Sequence, residues 1–328
     1  MRRRLAAMTV VSLTLLGTAA CGDDAARPAD SASSSTSEVD TGQTIPGLKV
    51  TGAVGSPPQV KVDSPLNVDK TETEVVTAGS GNPVVEGQTA LLHITVVNGA
   101  TGKKAASTYD QGTPASVDMS EGSIFPALLD ALVGKPRGSR VAVAGTVKET
   151  YGQGGAQQLG LGPSDTVVFV VDVVSVPPAD VLDHPQGETV TPPDDVPAVE
   201  EKNGNVTGLD FGNAPSEPAN KLQVIPLVKG DGPPARDDSL VTFDYFGEVW
   251  GGKQPFDESY SKQPVTFALG VGQLIRAWDQ GLVGLNKGSR VMIIAPPKYG
   301  YGPNGNPQAG IKGTDTLVFV VDILGVDG

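Results

Sequence analysis

The chain of 328 residues holds one cysteine, Cys21, and two histidines, His93 and His184. A closed Cys/His zinc site needs four such ligands and a histidine-based triad needs a well-placed histidine, so both chemistries lack candidates. A single thiol cannot form an internal disulfide. His93 lies in the strand-like LLHITVV at 91–97 and is expected to be a packed core or edge histidine, while His184 falls in a Pro- and acid-rich stretch. Neither is a credible catalyst. The 37 acidic against 24 basic side chains give a net charge of −13, which excludes a polyphosphate- or nucleic-acid-binding surface and implies a solvated acidic exterior. No metal or cofactor is implied.

Cys21 has a different meaning. Arg2, Arg3 and Arg4 precede an apolar run at 5–20, too short and too rich in small residues to span a bilayer, which reads as an export signal. The run ends in Thr18-Ala19-Ala20-Cys21, which resembles the bacterial lipobox, although its usual Leu is Thr18 here. The resemblance implies lipidation of Cys21 and a lipid anchor on the outer face of the cell membrane, with plain secretion as the alternative. Residues 21–45, with DSASSSTS at 30–37, are too poor in aliphatic side chains to repay the entropy of ordering and are expected to form a flexible tether.

Two segments repeat at an offset of 150. LVGKPRGSRV at 132–141 returns as LVGLNKGSRV at 282–291, and DTVVFVVDVV at 165–174 returns as DTLVFVVDIL at 315–324; 14 of these 20 positions are identical. So long a period indicates a duplicated domain. Fainter echoes are VTG at 50–52 against 206–208, and Tyr151-Gly152 against Tyr301-Gly302. The domains are expected at 46–178 and 201–328, joined by an extended spacer at 179–200. With 42 Gly and 27 Pro, long helices are improbable. The runs are short and β-branched: VTFDYFGEV at 241–249 puts Val241, Phe243 and Tyr245 on one face of a strand. One helix is expected at 274–282, where Leu274, Trp278 and Leu282 fall four apart. The fold class is therefore α+β: in each copy, an antiparallel sheet covering one short helix.

In the second copy four separated motifs occur in order: VTFDYFGEVWGGKQPFDES, TFALGVGQLIRAWDQGLVGLNKGSRV, PPKYGYG and DTLVFVVDIL. Together they resemble the FKBP family of peptidyl-prolyl cis-trans isomerases, over about 221–328. The resemblance implies two tandem FKBP-like domains, each a curved sheet around a helix. It also implies a proline pocket walled by Tyr245, Phe256, Asp257, Leu274, Ile275, Tyr301, Ile311 and Phe319, with the Trp278 indole as its floor. By that resemblance Asp257, Tyr301, Phe256 and Trp278 carry catalysis, and Tyr245, Leu274, Ile275, Ile311 and Phe319 bind substrate. The Tyr301 hydroxyl or the Ile275 amide would hold the substrate carbonyl. Two departures are Lys262 where an arginine is common and Val265 where an aromatic is expected, which point to a shallower pocket. The implied partners are unfolded or Pro-containing exported proteins and macrolide immunosuppressant-type ligands.

An offset of 150 places Leu128 opposite Trp278 and Thr95 opposite Tyr245. It sets small residues around Ala106 and Ser107, or Ala105 with a shifted gap, opposite Phe256 and Asp257. The first copy is thus expected to keep the fold but little isomerase activity. The rival expectation is a non-catalytic chaperone or peptide-binding lipoprotein. A solute-capturing lipoprotein has less support, since neither copy shows a doubly wound α/β pattern.

Overall fold

The computed structural model of the chain describes residues 44–152 and 154–327. The export segment 1–20, the lipidation candidate Cys21 and all but the end of the tether at 21–45 lie outside the described residues. Within them the chain divides into two compact units, 44–174 and 175–327.

The first unit runs β1 (Leu48–Thr51), β2 (Gln59–Val62), β3 (Glu72–Thr77), β4 (Thr89–Asn98), β5 (Lys104–Ser107), β6 (Ala115–Asp118), α1 (Pro126–Leu132), β7 (Arg140–Thr146), α2 (Val147–Tyr151) and β8 (Thr166–Ser175). The second runs β9 (Gly187–Thr189), β10 (Ala198–Lys202), β11 (Asn205–Asp210), β12 (Gln223–Gly230), β13 (Ser239–Val249), β14 (Pro255–Glu258), β15 (Val265–Leu269), α3 (Arg276–Gly281), β16 (Arg290–Ala295) and β17 (Leu317–Val326). The sheets are ordered β3-β7-β8-β4-β5, with β6 also on β4, and β14-β13-β17-β16-β12-β9, with β15 also on β13. The pairings of the second sheet are all antiparallel. Both units are α+β, and no helix among the described residues exceeds the seven residues of α1.

The alternation in β13 works as its residue pattern dictates. Val241, Phe243 and Tyr245 join Trp278 of α3 in one core, while Phe246 joins a second cluster with Met292, Ile294, Val318 and Val320. That second cluster is closed by Val206 of the β10–β11 hairpin and by Val196 just before it. The first unit does the same with its β1–β2 hairpin, whose Leu48, Val50, Val60 and Val62 pack on Val97, Ala142, Ala144, Val168 and Val170. Each sheet is therefore buried on both faces, which is why β8 and β17 read as nearly unbroken apolar runs.

A buried ion pair anchors each hairpin. Arg290 meets Asp322 through Nε and Nη2 at 2.5 and 2.6 Å, and Nη2 also donates to the Gly204 carbonyl at 2.7 Å, in the turn between β10 and β11. Arg140 meets Asp172 at the same 2.5 and 2.6 Å and donates to the carbonyls of Gly52 and Ser56, between β1 and β2. The two-pronged guanidinium is suited to this task, since it satisfies a carboxylate and still has donors left for a loop. These four residues lie inside the repeated decapeptides.

Two expectations need correction. Residues 179–200, expected as an extended spacer between the domains, pack on the second sheet: β9 pairs with β12, the Leu182 amide donates to the Leu324 carbonyl (2.9 Å), the Val190 amide to the Leu227 carbonyl (2.8 Å), and Asp180 meets Lys287 at 2.6 Å. Pro-rich chain favours an extended form, and the unpaired edge of β12 offered it a partner. The two VTG triplets are not equivalent either, because Val50 lies in the first strand of its hairpin and Val206 in the second strand of its own.

Candidate active site

The strand β13, the short β14 beside it, the segment entering α3 and the long connection from β16 to β17 supply the site. Trp278 is its floor, only 4% exposed, with Phe319 at 4% and Ile311 at 3% beside it. Around this floor stand Tyr245, Phe256, Leu274, Ile275 and Tyr301, each partly buried and packed against the same core cluster. Trp278 meets Phe243, Tyr245 and Phe319 edge-on, with ring centroids 5.4, 5.3 and 5.6 Å apart, and Phe256 meets Phe319 at 5.5 Å. A covered floor and half-exposed walls make an aromatic cup open to solvent. The indole Nε1 of Trp278 is buried with no hydrogen-bond partner among the described residues.

Asp257 is the polar member. Its carboxylate accepts from the Tyr245 hydroxyl, and Lys262 Nζ lies 3.3 Å away, so the lysine retains a charge contact here. Burial pushes the Tyr245 phenol well above its ordinary pKa, and the hydrogen bond to Asp257 pushes the same way, so this hydroxyl stays protonated as a donor. Burial likewise raises Tyr301, against a hydrogen bond with Asn306. The helix α3 is two residues shorter at its start than expected. Ile275 is its extended N-cap, with φ −65° and ψ 148°, and its carbonyl accepts from the Trp278 amide at 2.9 Å. All nine residues carried over from the motifs are brought together: eight in one apolar cluster and Asp257 hydrogen-bonded to its rim.

The motif reading missed two supports. Ser259 Oγ accepts from the Tyr245 amide (2.9 Å) and donates to Asp244 (2.7 Å), tying the chain after β14 to β13. Gly247 is the other: a Cβ there would sit 2.7 Å from the Phe256 ring and 3.0 Å from the Phe319 ring, so both rings reach the strand only because this residue has no side chain. The glycine is visible in the sequence, but nothing local to it announces which rings it admits.

The first unit shows what became of the same positions. The Ile94 amide donates to Thr108 Oγ1 and His93 meets that hydroxyl, each at 2.9 Å, reproducing Tyr245, Ser259 and Asp244. The residue opposite Tyr245 is therefore Ile94, not Thr95. Seven positions separate Thr108 from Ala115 and six separate Ser259 from Val265, so one extra residue shifts everything before it to an offset of 151. By register, Val96 pairs with Ala106 as Gly247 pairs with Asp257, which sets Ala105 and Ala106 opposite Phe256 and Asp257. Leu128 does stand opposite Trp278, since its amide donates to the Phe125 carbonyl at 2.9 Å as that of Trp278 donates to Ile275. Phe125, in the place of Ile275, then meets Tyr151 and Phe169 at 5.0 and 6.0 Å. The Tyr151 hydroxyl is buried without a partner among the described residues, and burial pushes its pKa up to about 12.

The antiparallel sheet thus carries an aromatic cup with a carboxylate on its rim. The model of FKBP-type peptidyl-prolyl cis-trans isomerases matches residues 81–174 and 232–324, more than half of the chain, and the chain belongs to that family. It is 36% identical over 111 residues to an FK506-binding protein of Streptomyces anulatus, covering 34% of this chain and 90% of that one. It is 37% identical over 108 residues to the peptidyl-prolyl cis-trans isomerase Fkbp12 of Drosophila melanogaster, covering 32% of this chain and 98% of that one. The crystal structure of FkpA from Escherichia coli is 34% identical, with a TM-score of 0.30, covering 32% of this chain and 48% of that one.

Proposed function

We propose that the chain is an exported peptidyl-prolyl cis-trans isomerase whose catalytic pocket lies in the second unit and which assists the folding of extracytoplasmic proteins. The observation that carries this reading is the cup itself: Trp278 under Tyr245, Phe256, Tyr301 and Phe319, with Asp257 held on its rim by the Tyr245 hydroxyl. Turning an X-Pro amide breaks partial double-bond character against a barrier of about 18–20 kcal/mol. Water stabilises the planar, strongly dipolar ground state, and the twisted state is less dipolar. A pocket of rings that strips water from the bond therefore favours the twisted form, and a donor such as the Tyr301 hydroxyl fixes the carbonyl while it turns. A thousandfold acceleration needs only about 4 kcal/mol. Isomerisation moves no proton off the substrate, so Asp257 acts by orienting Tyr245 and the rim.

In the same reading the first unit is a degenerate copy, without the indole floor, the Phe wall or the carboxylate. Macrolide immunosuppressant-type ligands would enter the second pocket. Cys21 would be lipidated, with residues 21–45 as the tether and the protein held on the outer face of the membrane; this part rests on the sequence alone.

A proline-peptide isomerisation assay on the full chain and on Asp257→Ala, Tyr301→Phe and Trp278→Ala variants tests the site. A sharp fall is expected in each, and an unchanged rate in all three would overturn it. A second reading, a non-catalytic binding module, is favoured by a groove of about 480 Å³ in the first unit, lined by Thr71, Thr73, Pro126, Asp130 and Glu149. Aggregation suppression that persists in the pocket variants would support that reading.

A further inference from the structure

We propose that Arg276 and Lys298 make the mouth of the second unit's pocket selective for clients with an acidic side chain next to the proline; this rests on the isomerase reading above and names its substrate class. Arg276 follows Ile275 of the pocket wall and Lys298 lies three residues before Tyr301; both are exposed. They converge on one ring. The Arg276 guanidinium carbon is 5.7 Å and Lys298 Nζ 5.1 Å from the centroid of Tyr299, which packs on the same cluster as Ile275 and Tyr301. Neither cation forms an ion pair among the described residues.

The acids around the mouth are already engaged. Asp257 takes the Tyr245 hydroxyl and shares Lys262 with Glu258, at 3.3 and 3.7 Å. Asp279, one turn beyond Arg276, accepts the amides of Gly270 and Gly272 at 2.9 and 3.1 Å. The mouth is thereby polarised, with an acid–lysine cluster at the Asp257 wall and two uncompensated cations at the Tyr299 wall. On a chain of net charge −13, that wall is where a carboxylate would be drawn in, and its pull gives the bound segment a direction.

The test uses the full chain and proline tetrapeptides that differ only by Glu or Gln immediately before or after the proline, read both by turnover and by calorimetric binding. At low ionic strength one of the Glu peptides is expected to exceed its Gln counterpart by about two- to fivefold in kcat/KM, the range open to exposed charge pairs. The advantage should reside in KM, shrink in about 0.5 M salt, vanish in the double variant Arg276→Gln with Lys298→Gln, and return with Arg276→Lys and Lys298→Arg. Equal handling of Glu and Gln peptides in both readouts, or a preference that survives the double Gln variant, would overturn the proposal. Glu-selective binding without turnover would uphold the rim and sink the isomerase reading.

Discussion

The two units share a frame and differ in what the frame encloses. Where the second has Gly247 beneath the Phe256 ring, the first has Val96 and Ala105, so bulk has moved from the wall to the strand. Where the second packs Phe243, Tyr245 and Phe319 against Trp278, the first brings Phe125 against Tyr151 and Phe169. In the first unit three of its own rings meet at these positions. By contrast the Arg–Asp pair and its hairpin persist in both, with the same 2.5 and 2.6 Å geometry. Duplication has kept what holds the sheet together and varied the residues set around α1 and α3.

The largest expected effect probes the part held in common. Asp322→Asn and Asp172→Asn each strand a buried guanidinium and should destabilise their own unit by about 3–5 kcal/mol, measurable as two separate shifts in denaturant unfolding. A loss in only one of them would break the equivalence of the frames. Next comes the part that differs: Trp278→Leu, which copies Leu128 into the second floor, should cost at least about tenfold in kcat/KM, or 1.4 kcal/mol. Gly247→Val, copying Val96, should push out the Phe256 ring and lower turnover to a similar degree without removing any polar group. Smaller is Tyr245→Phe, which removes one hydrogen bond to Asp257; about 1 kcal/mol, or roughly fivefold in kcat/KM, is expected.

The subtlest comparison is one of sign. His93 and Asp244 hold equivalent hydroxyls, Thr108 and Ser259. Burial lowers the His93 pKa below 6.5, partly opposed by Asp172, so the unfolded chain takes up the proton first and the first unit loses stability as pH falls through 6.5 and on through the folded value. Burial raises Asp244 above 3.8, opposed mainly by the Ser259 hydrogen bond. The folded second unit therefore protonates this group before the unfolded chain does, and its penalty is relieved as pH falls through that raised value toward 3.8. Unfolding of full-length His93→Gln and Asp244→Asn variants between pH 4 and 7.5 should flatten the first dependence and the second respectively; parallel slopes in both units would refute the contrast.

Much of this was legible from residues alone. The decapeptide repeats gave two copies, the alternation of Val241, Phe243 and Tyr245 gave the helix-facing side of β13, and the nine residues named from the four ordered motifs lie together. What escaped had physical causes. Sheet burial on both faces is hinted at by the unbroken run in VVFVV, yet which segment covers the outer face depends on contacts far apart in sequence. The identities of Arg140, Arg290, Asp172 and Asp322 were visible inside the repeats, but pairing across strands 32 residues apart was not. The single extra residue between Thr108 and Ala115 is silent in an ungapped alignment and emerges only from strand register. The linker read as an extended spacer because its Pro- and acid-rich composition favours extended chain, and an edge strand that accepts it leaves no local signal.

The outer hairpin sets a lower limit on how small a working fragment can be made. The family match begins at 232, after β9, β10, β11 and β12. Cutting there would leave Met292, Ile294, Val318 and Val320 wet, an oily patch and raw strand edge of the sort that drives clumping, and would remove the Gly204 carbonyl from Arg290. An excised second unit should therefore begin near residue 175, where the sheet's own wrapping begins.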